Sequence, residues 1–317
     1  MLKDNVLGGF FTNKPFLSKK RNVCIIAVLY TFLWGCAFPL VKLCMQNFSV
    51  AGNDNLSKCL VAGIRFSFAG LLTLLIARLI FRQSLKIKAK QFKTCFVYGV
   101  TATAMQYAFT YIGLSMVDAS KGAVYDQLCV FFIVLCSGIF FKDDKLSLKK
   151  IIGCIVGFLG VAAINVSSLS FSLSLGDIIM VGAALVQTVA YFVAKKSTTD
   201  FSPVLLVGYG QLSGGLLLTV GSLVFGGRIV TVNNEAILSL TALIFIASIA
   251  YILSLLPLKY FRASEISIFN LLITIFGVVM SGIVLKENVL KLNYAIALIL
   301  IIVAVLIINS KEKKYVE

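Results

Sequence analysis

A chain of 317 residues with 59% hydrophobic and only 13% charged residues is not an ordinary soluble globule, in which about 25% of residues carry charge. The net charge of +16 would suit nucleic acid, but the lysines and arginines sit in short segments between apolar runs, the pattern that orients membrane proteins, so no nucleic-acid partner is expected. Eight cysteines without a CxxC pair, in a chain with no histidine, exclude a zinc or haem site and a histidine-based triad; neither metal nor cofactor is expected.

In chain order, residues 1–22 form a basic cytoplasmic segment carrying Lys14, Lys19, Lys20 and Arg21. The apolar run behind it lacks a small-residue cleavage site and is too long for a signal peptide, so it reads as an uncleaved first span. Ten apolar runs follow one another, at about 23–45, 58–81, 94–116, 119–141, 149–168, 175–195, 203–226, 236–258, 264–285 and 292–310. Each approaches the ~20 residues that cross a hydrocarbon core about 30 Å thick. Lipid admits only helices and closed barrels, and barrel alternation is missing here. The expected class is therefore an all-α integral membrane protein with ten transmembrane helices.

With the N-terminus in the cytoplasm, the inside segments hold 22 Lys and Arg and the outside segments five. That bias places both termini, including the tail 311–317, in the cytoplasm of a multi-pass cell-membrane protein. Helix 5 (151–166) carries no charge and helix 10 is apolar all round, so both are expected at the lipid-facing periphery.

The chain repeats itself. At an offset of 144, Ala119-Ser120 falls on Ala263-Ser264, Ser137-Gly138-Ile139 on Ser281-Gly282-Ile283, Lys142-Asp143 on Lys286-Glu287, and Ile164-Asn165 on Ile308-Asn309. At 153, the first span falls on the sixth, with Lys42 on Lys195. Five helices per copy is an odd number, so the second copy, 175–310, enters the membrane inverted relative to the first, 23–168. Inverted five-helix repeats with a midplane substrate site are a plan of secondary transporters.

The runs WGCAFPLVK in the first span and AGIRFSFAGLL in the second, with the helix 4–turn–helix 5 unit and its copy, resemble the EamA-like branch of the drug/metabolite transporter superfamily over about residues 25–309. The resemblance implies ten helices in a five-plus-five arrangement and export of amino acids or other small metabolites. Where the family commonly has proline in helices 4 and 9, this chain has Cys129 and Ile273.

Charges inside a span are costly and mark functional sites. At 1.5 Å per residue, Arg65 lies about 10 Å and Asp126 about 12 Å from the outer surface. Asp118, Gly122, Asp126, Cys129 and Ile133 share one helical face, as the wall of an outward vestibule should. Arg65 and Asp126 either bind the carboxylate and ammonium of a zwitterion or form a salt bridge between helices 2 and 4. Asn270 is the copy of Asp126, whereas Arg65 meets Gly210 at an offset of 145. Gln187 and Gln211, near mid-membrane, either bond substrate or join helices. Trp34 sits mid-span beside Gly35 and is expected on the path; of Tyr107, Tyr111, Tyr191, Tyr209 and Tyr251, only one or two are. Gly153, Gly157 and Gly160, like Gly208, Gly210, Gly214 and Gly215, read as close helix packing.

No Walker motif is present, so direct ATP drive is excluded. The expected function is a secondary transporter, not an enzyme, moving small polar metabolites such as amino acids by alternating access within the lipid bilayer, with a proton as candidate coupling ion. The alternatives are a lipid- or isoprenoid-processing membrane enzyme and a non-transporting scaffold.

Overall fold

The computed structural model describes residues 17, 19–114, 116, 119–164, 174–199, 201–286 and 292–309. The N-terminal segment up to residue 16, Asp118, Glu287 and the tail 311–317 lie outside the described residues.

The helices are α1 Lys20–Asn47, α2 Asn55–Leu79, α3 Ala89–Leu114, α4 Ala119–Phe140, α5 Leu148–Ile164, α6 Leu175–Ser197, α7 Pro203–Val224, α8 Asn234–Leu255, α9 Ala263–Leu285 and α10 Leu292–Asn309. No strand occurs among the described residues. Among the described residues, six helices are long and apolar enough to cross a membrane: α1, α2, α6, α7, α8 with its 3₁₀ extension to Lys259, and α9. Tyr125–Phe140 of α4 and Ala295–Ile308 of α10 are apolar but shorter.

Helix starts follow local chemistry. Asp54 accepts the amide of Ser57 at the head of α2, Ser174 and Asp177 form a reciprocal box at α6, and Ser202 precedes Pro203 at α7. α3 is broken in the middle by a π-helical stretch, Val100–Met105, and α9 by a 3₁₀ turn, Ile268–Asn270. Irregular turns of this kind gather at functional sites. Both lie beside the cavity described below.

Packing is set by glycine. α2 and α7 cross so closely that a Cβ on Gly70 would lie 2.4 Å from the amide of Leu212, and one on Gly215 2.4 Å from that of Ser67. α3 meets α7 the same way, with a Gly214 Cβ 2.2 Å from the Gly99 carbonyl. Gly153, Gly157 and Gly160 of α5 take Ile308, Ala304 and Ile301 of α10 against the backbone. The other large pairings are α1 with α8 and α9, α6 with α3 and α4, and α8 with α2. α5 and α10 pack on each other, and Ile155, Leu159, Ile299 and Leu306 point outward.

Candidate functional site

Six helices (α1, α3, α4, α6, α8 and α9) and Arg65 of α2 enclose a cavity of about 260 Å³. Trp34, Arg65, Asp126, Gln187 and Asn270 all line it. Among the described residues, α5, α7 and α10 contribute nothing to its wall.

Gln211 stands elsewhere. It is 1% exposed, accepts a hydrogen bond from Thr73 Oγ1 at 3.2 Å and donates to the Ala247 carbonyl at 3.3 Å, tying α7 to α2 and α8. Ser248 adds a bond to the Ala69 carbonyl across the same junction. Buried amides joined in this way are interhelical contacts. Tyr209 is also away from the wall, with its hydroxyl on the Leu85 carbonyl at 2.7 Å.

Arg65 is 3% exposed. Its Nε donates to the Leu243 carbonyl at 3.4 Å, and its guanidinium carbon lies 4.9 Å from the Phe66 ring centre and 6.0 Å from that of Trp34. The rings continue as a chain: Trp34 meets Tyr251 edge-on at 4.9 Å, Phe66 meets Tyr107 at 4.5 Å, and Tyr107 meets Tyr111 at 6.2 Å. Nη2 of Arg65 is buried and has no hydrogen-bond partner among the described residues. Leaving a buried donor of a charged group unmade costs about 1–3 kcal/mol or more.

No ion pair joins Arg65 to Asp126 among the described residues. The Asp126 carboxylate instead accepts from Gln127 Nε2 at 3.4 Å. Equal depth placed the two charges on one cavity without placing them in contact. On the same wall, Tyr30 donates to Asn270 Oδ1 at 3.1 Å, and Gln187 Oε1 and the Tyr191 hydroxyl are buried without partners among the described residues. The wall thus carries two opposite charges together with neutral groups, several of whose hydrogen bonds are unmade.

The wall is more aromatic than the sequence suggested. Tyr30, Tyr98, Tyr107, Tyr111, Tyr191 and Tyr251 all line it, as do Gln106, Thr110 and Ser254. The π-helical stretch explains part of this: Ala102 lies within it, and its carbonyl accepts the Tyr251 hydroxyl at 3.4 Å. The sequence did carry a signal for these residues. At the offset of 153, Trp34, Ala37, Phe38 and Val41 fall on Gln187, Ala190, Tyr191 and Ala194. At 144, Tyr107, Thr110, Tyr111 and Asp126 fall on Tyr251, Ser254, Leu255 and Asn270. Both members of all eight pairs line the cavity.

The EamA-like transporter family model matches residues 21–166 and again 174–310. An uncharacterized transporter of Bacillus subtilis, YvbV, is 26% identical over 94% of both chains. A probable amino-acid metabolite efflux pump of Escherichia coli is 23% identical over 88% of this chain and 91% of its own. A protein of known crystal structure superposes with a TM-score of 0.76 at 14% identity, covering 92% of this chain and 97% of that one, a likeness of fold. With all-helical architecture, six helices able to span and the family matched across both halves, the chain belongs to the EamA-like transporter family and is a multi-pass membrane protein.

Proposed function

We propose that the chain is a ten-span carrier built of two inverted five-helix repeats, which exports or exchanges a small polar metabolite, an amino acid in the first instance, by alternating access across the cell membrane. Three features support the inverted repeat. Exchanging the halves carries α1–α8 packing onto α6–α3, α1–α9 onto α6–α4 and α2–α8 onto α7–α3, and leaves α2–α7 and α5–α10 in place. The eight paired wall positions favour a cavity on the exchange axis, where carriers of this plan hold substrate. The family matches twice, once per half. Basic residues concentrated on one side favour cytoplasmic termini.

The observation that carries the substrate reading is Arg65, whose Nη2 is buried without a partner among the described residues, on a cavity wall that also holds the carboxylate of Asp126 with only Gln127 bonded to it. A zwitterion answers both: its carboxylate takes the guanidinium edge and its ammonium takes Asp126. The name of the Escherichia coli relative agrees with an amino acid. The named relatives are transporters, which favours a carrier over a lipid-processing enzyme or a scaffold.

A thermal-shift screen of the purified protein against amino acids tests this. A true substrate at 100 times its Kd stabilises the fold by about 2.7 kcal/mol, an easily read rise in Tm that Arg65→Gln removes. A panel in which no zwitterion shifts the wild type, while unrelated metabolites do, would contradict the amino-acid reading.

A further inference from the structure

We propose that Asp144 is the inner gate residue of the transport cycle, a latch that closes the cavity toward the cytoplasmic end by joining the α4–α5 turn of the first half to the start of α9 in the second. This inference rests on the carrier reading above.

Asp144 has no solvent exposure, although it belongs to a turn whose neighbours Asp143 and Lys145 are exposed. One carboxylate oxygen accepts the backbone amide of Ser264 at 2.9 Å; the other takes the Ser264 hydroxyl and the ammonium of Lys150, each at 2.5 Å. Lys150 is itself 4% exposed and also donates to the Lys145 carbonyl. Burial alone would push this carboxyl up, but hydrogen bonds from Lys150 and Ser264 hold it below the usual carboxylate range. The latch is therefore ionised at neutral pH. A buried charge held by three donors is strong while made and costly if only half broken. Such a contact makes a two-state switch rather than a soft hinge.

Its position gives it the gating role. The first turn of α9 packs on α4, and Ala263 closes over Ile133 and Phe192. The Phe192 ring lies 4.9 Å from that of Phe140 and 5.6 Å from that of Phe141, next to the wall residue Tyr191. Phe192, with Phe141 against it, packs with Ile133 and Ala263 between α4, α6 and α9, while Phe140 lies exposed outside; the Asp144 amide bonds the Phe141 carbonyl at 3.0 Å, just beyond this plug. Lys195 closes the neighbouring gap by donating to the Leu258 and Phe261 carbonyls, but that clamp stays within the second half. Asp144 joins the halves, so opening toward the cytoplasm must part it from Ser264 while Lys150, on its own half, can remain with it.

The chain has one tryptophan, and Trp34 faces the cavity, so its fluorescence reports access without labelling. Iodide quenching is measured on protein of uniform orientation in vesicles, with the quencher on one side at a time. Losing a hydrogen bond to a charged group shifts a two-state balance about tenfold. In Asp144→Asn the ratio of inner to outer quenching is expected to rise about tenfold, inner access increasing as outer access falls. Ser264→Ala, which keeps the buried ion pair intact, should move the ratio the same way by less and carries the test if Asp144→Asn does not fold. A reciprocal change supports the gate even if none of the amino acids tried is transported. An unchanged ratio, or quenching that rises equally from both sides as in general loosening, overturns it; with transport intact, the gate alone fails.

Discussion

Arg65→Gln is expected to lower substrate-dependent transport by about 100-fold while leaving the melting temperature unchanged or higher. The two halves of that expectation come from the same geometry. Truncating one partner of a desolvated charge pair costs about 2–5 kcal/mol of binding, and in the proposed function the other partner is the substrate carboxylate. In the empty protein the guanidinium is a buried charge with an unmade hydrogen bond, so removing it relieves a cost. Arg65→Lys should not rescue transport, because an ammonium cannot bond the Leu243 carbonyl, stack on Phe66 and still present a flat donor edge to a carboxylate. If Arg65 served only to hold α2 to α8, the opposite pattern would appear: a clear loss of Tm, with transport falling only as far as folded protein is lost. Tm and initial rates measured on one preparation separate the two.

Asp126→Asn is expected to abolish accumulation driven by a pH gradient and to leave exchange of substrate for substrate in place. Among the described residues Asp126 is the only carboxylate on the cavity wall, and the matching position in the second half is Asn270, which cannot titrate. Coupling would therefore reside in the first half. Asp126 and Arg65 are not in contact in this state, and how firmly a carboxylate holds a proton depends on whether a guanidinium is alongside. A cycle that brings them together in one access state and parts them in the other binds a proton on one side and releases it on the other. Substrate carboxylate on Arg65 would leave Asp126 free to take up the proton. Gradient-driven accumulation that persists in Asp126→Asn would rule out this coupling.

Much of the architecture is legible in the sequence, because apolar runs of spanning length and a repeated text survive without knowledge of neighbours. The offsets of 144 and 153 even pair the wall residues, although only Asp126 with Asn270 is singled out from them. Direction around a helix is harder to read. Gln211 and Gln187 lie at similar depth, yet one bonds Thr73 and Ala247 and the other lines the cavity. Depth likewise brings Arg65 and Asp126 to one level without bringing them into contact. The π-helical stretch of α3 is illegible locally: Val100–Met105 contains no proline or glycine, and it begins just after Gly99 meets Gly210 and Gly214 of α7 backbone to backbone. The closeness of α2 to α7 also becomes visible only when Gly70 and Gly215 find each other's helices.

Counterflow tests the central claim most directly, since it needs no gradient and no assumption about coupling. Proteoliposomes preloaded with an unlabelled amino acid that stabilises the purified protein are diluted into a trace of the same compound in labelled form. An alternating-access carrier with its site on the exchange axis predicts a transient accumulation of label above the external concentration, present in wild type and in Asp126→Asn and lost in Arg65→Gln. Label that only equilibrates, at the rate seen in protein-free liposomes, would contradict the account.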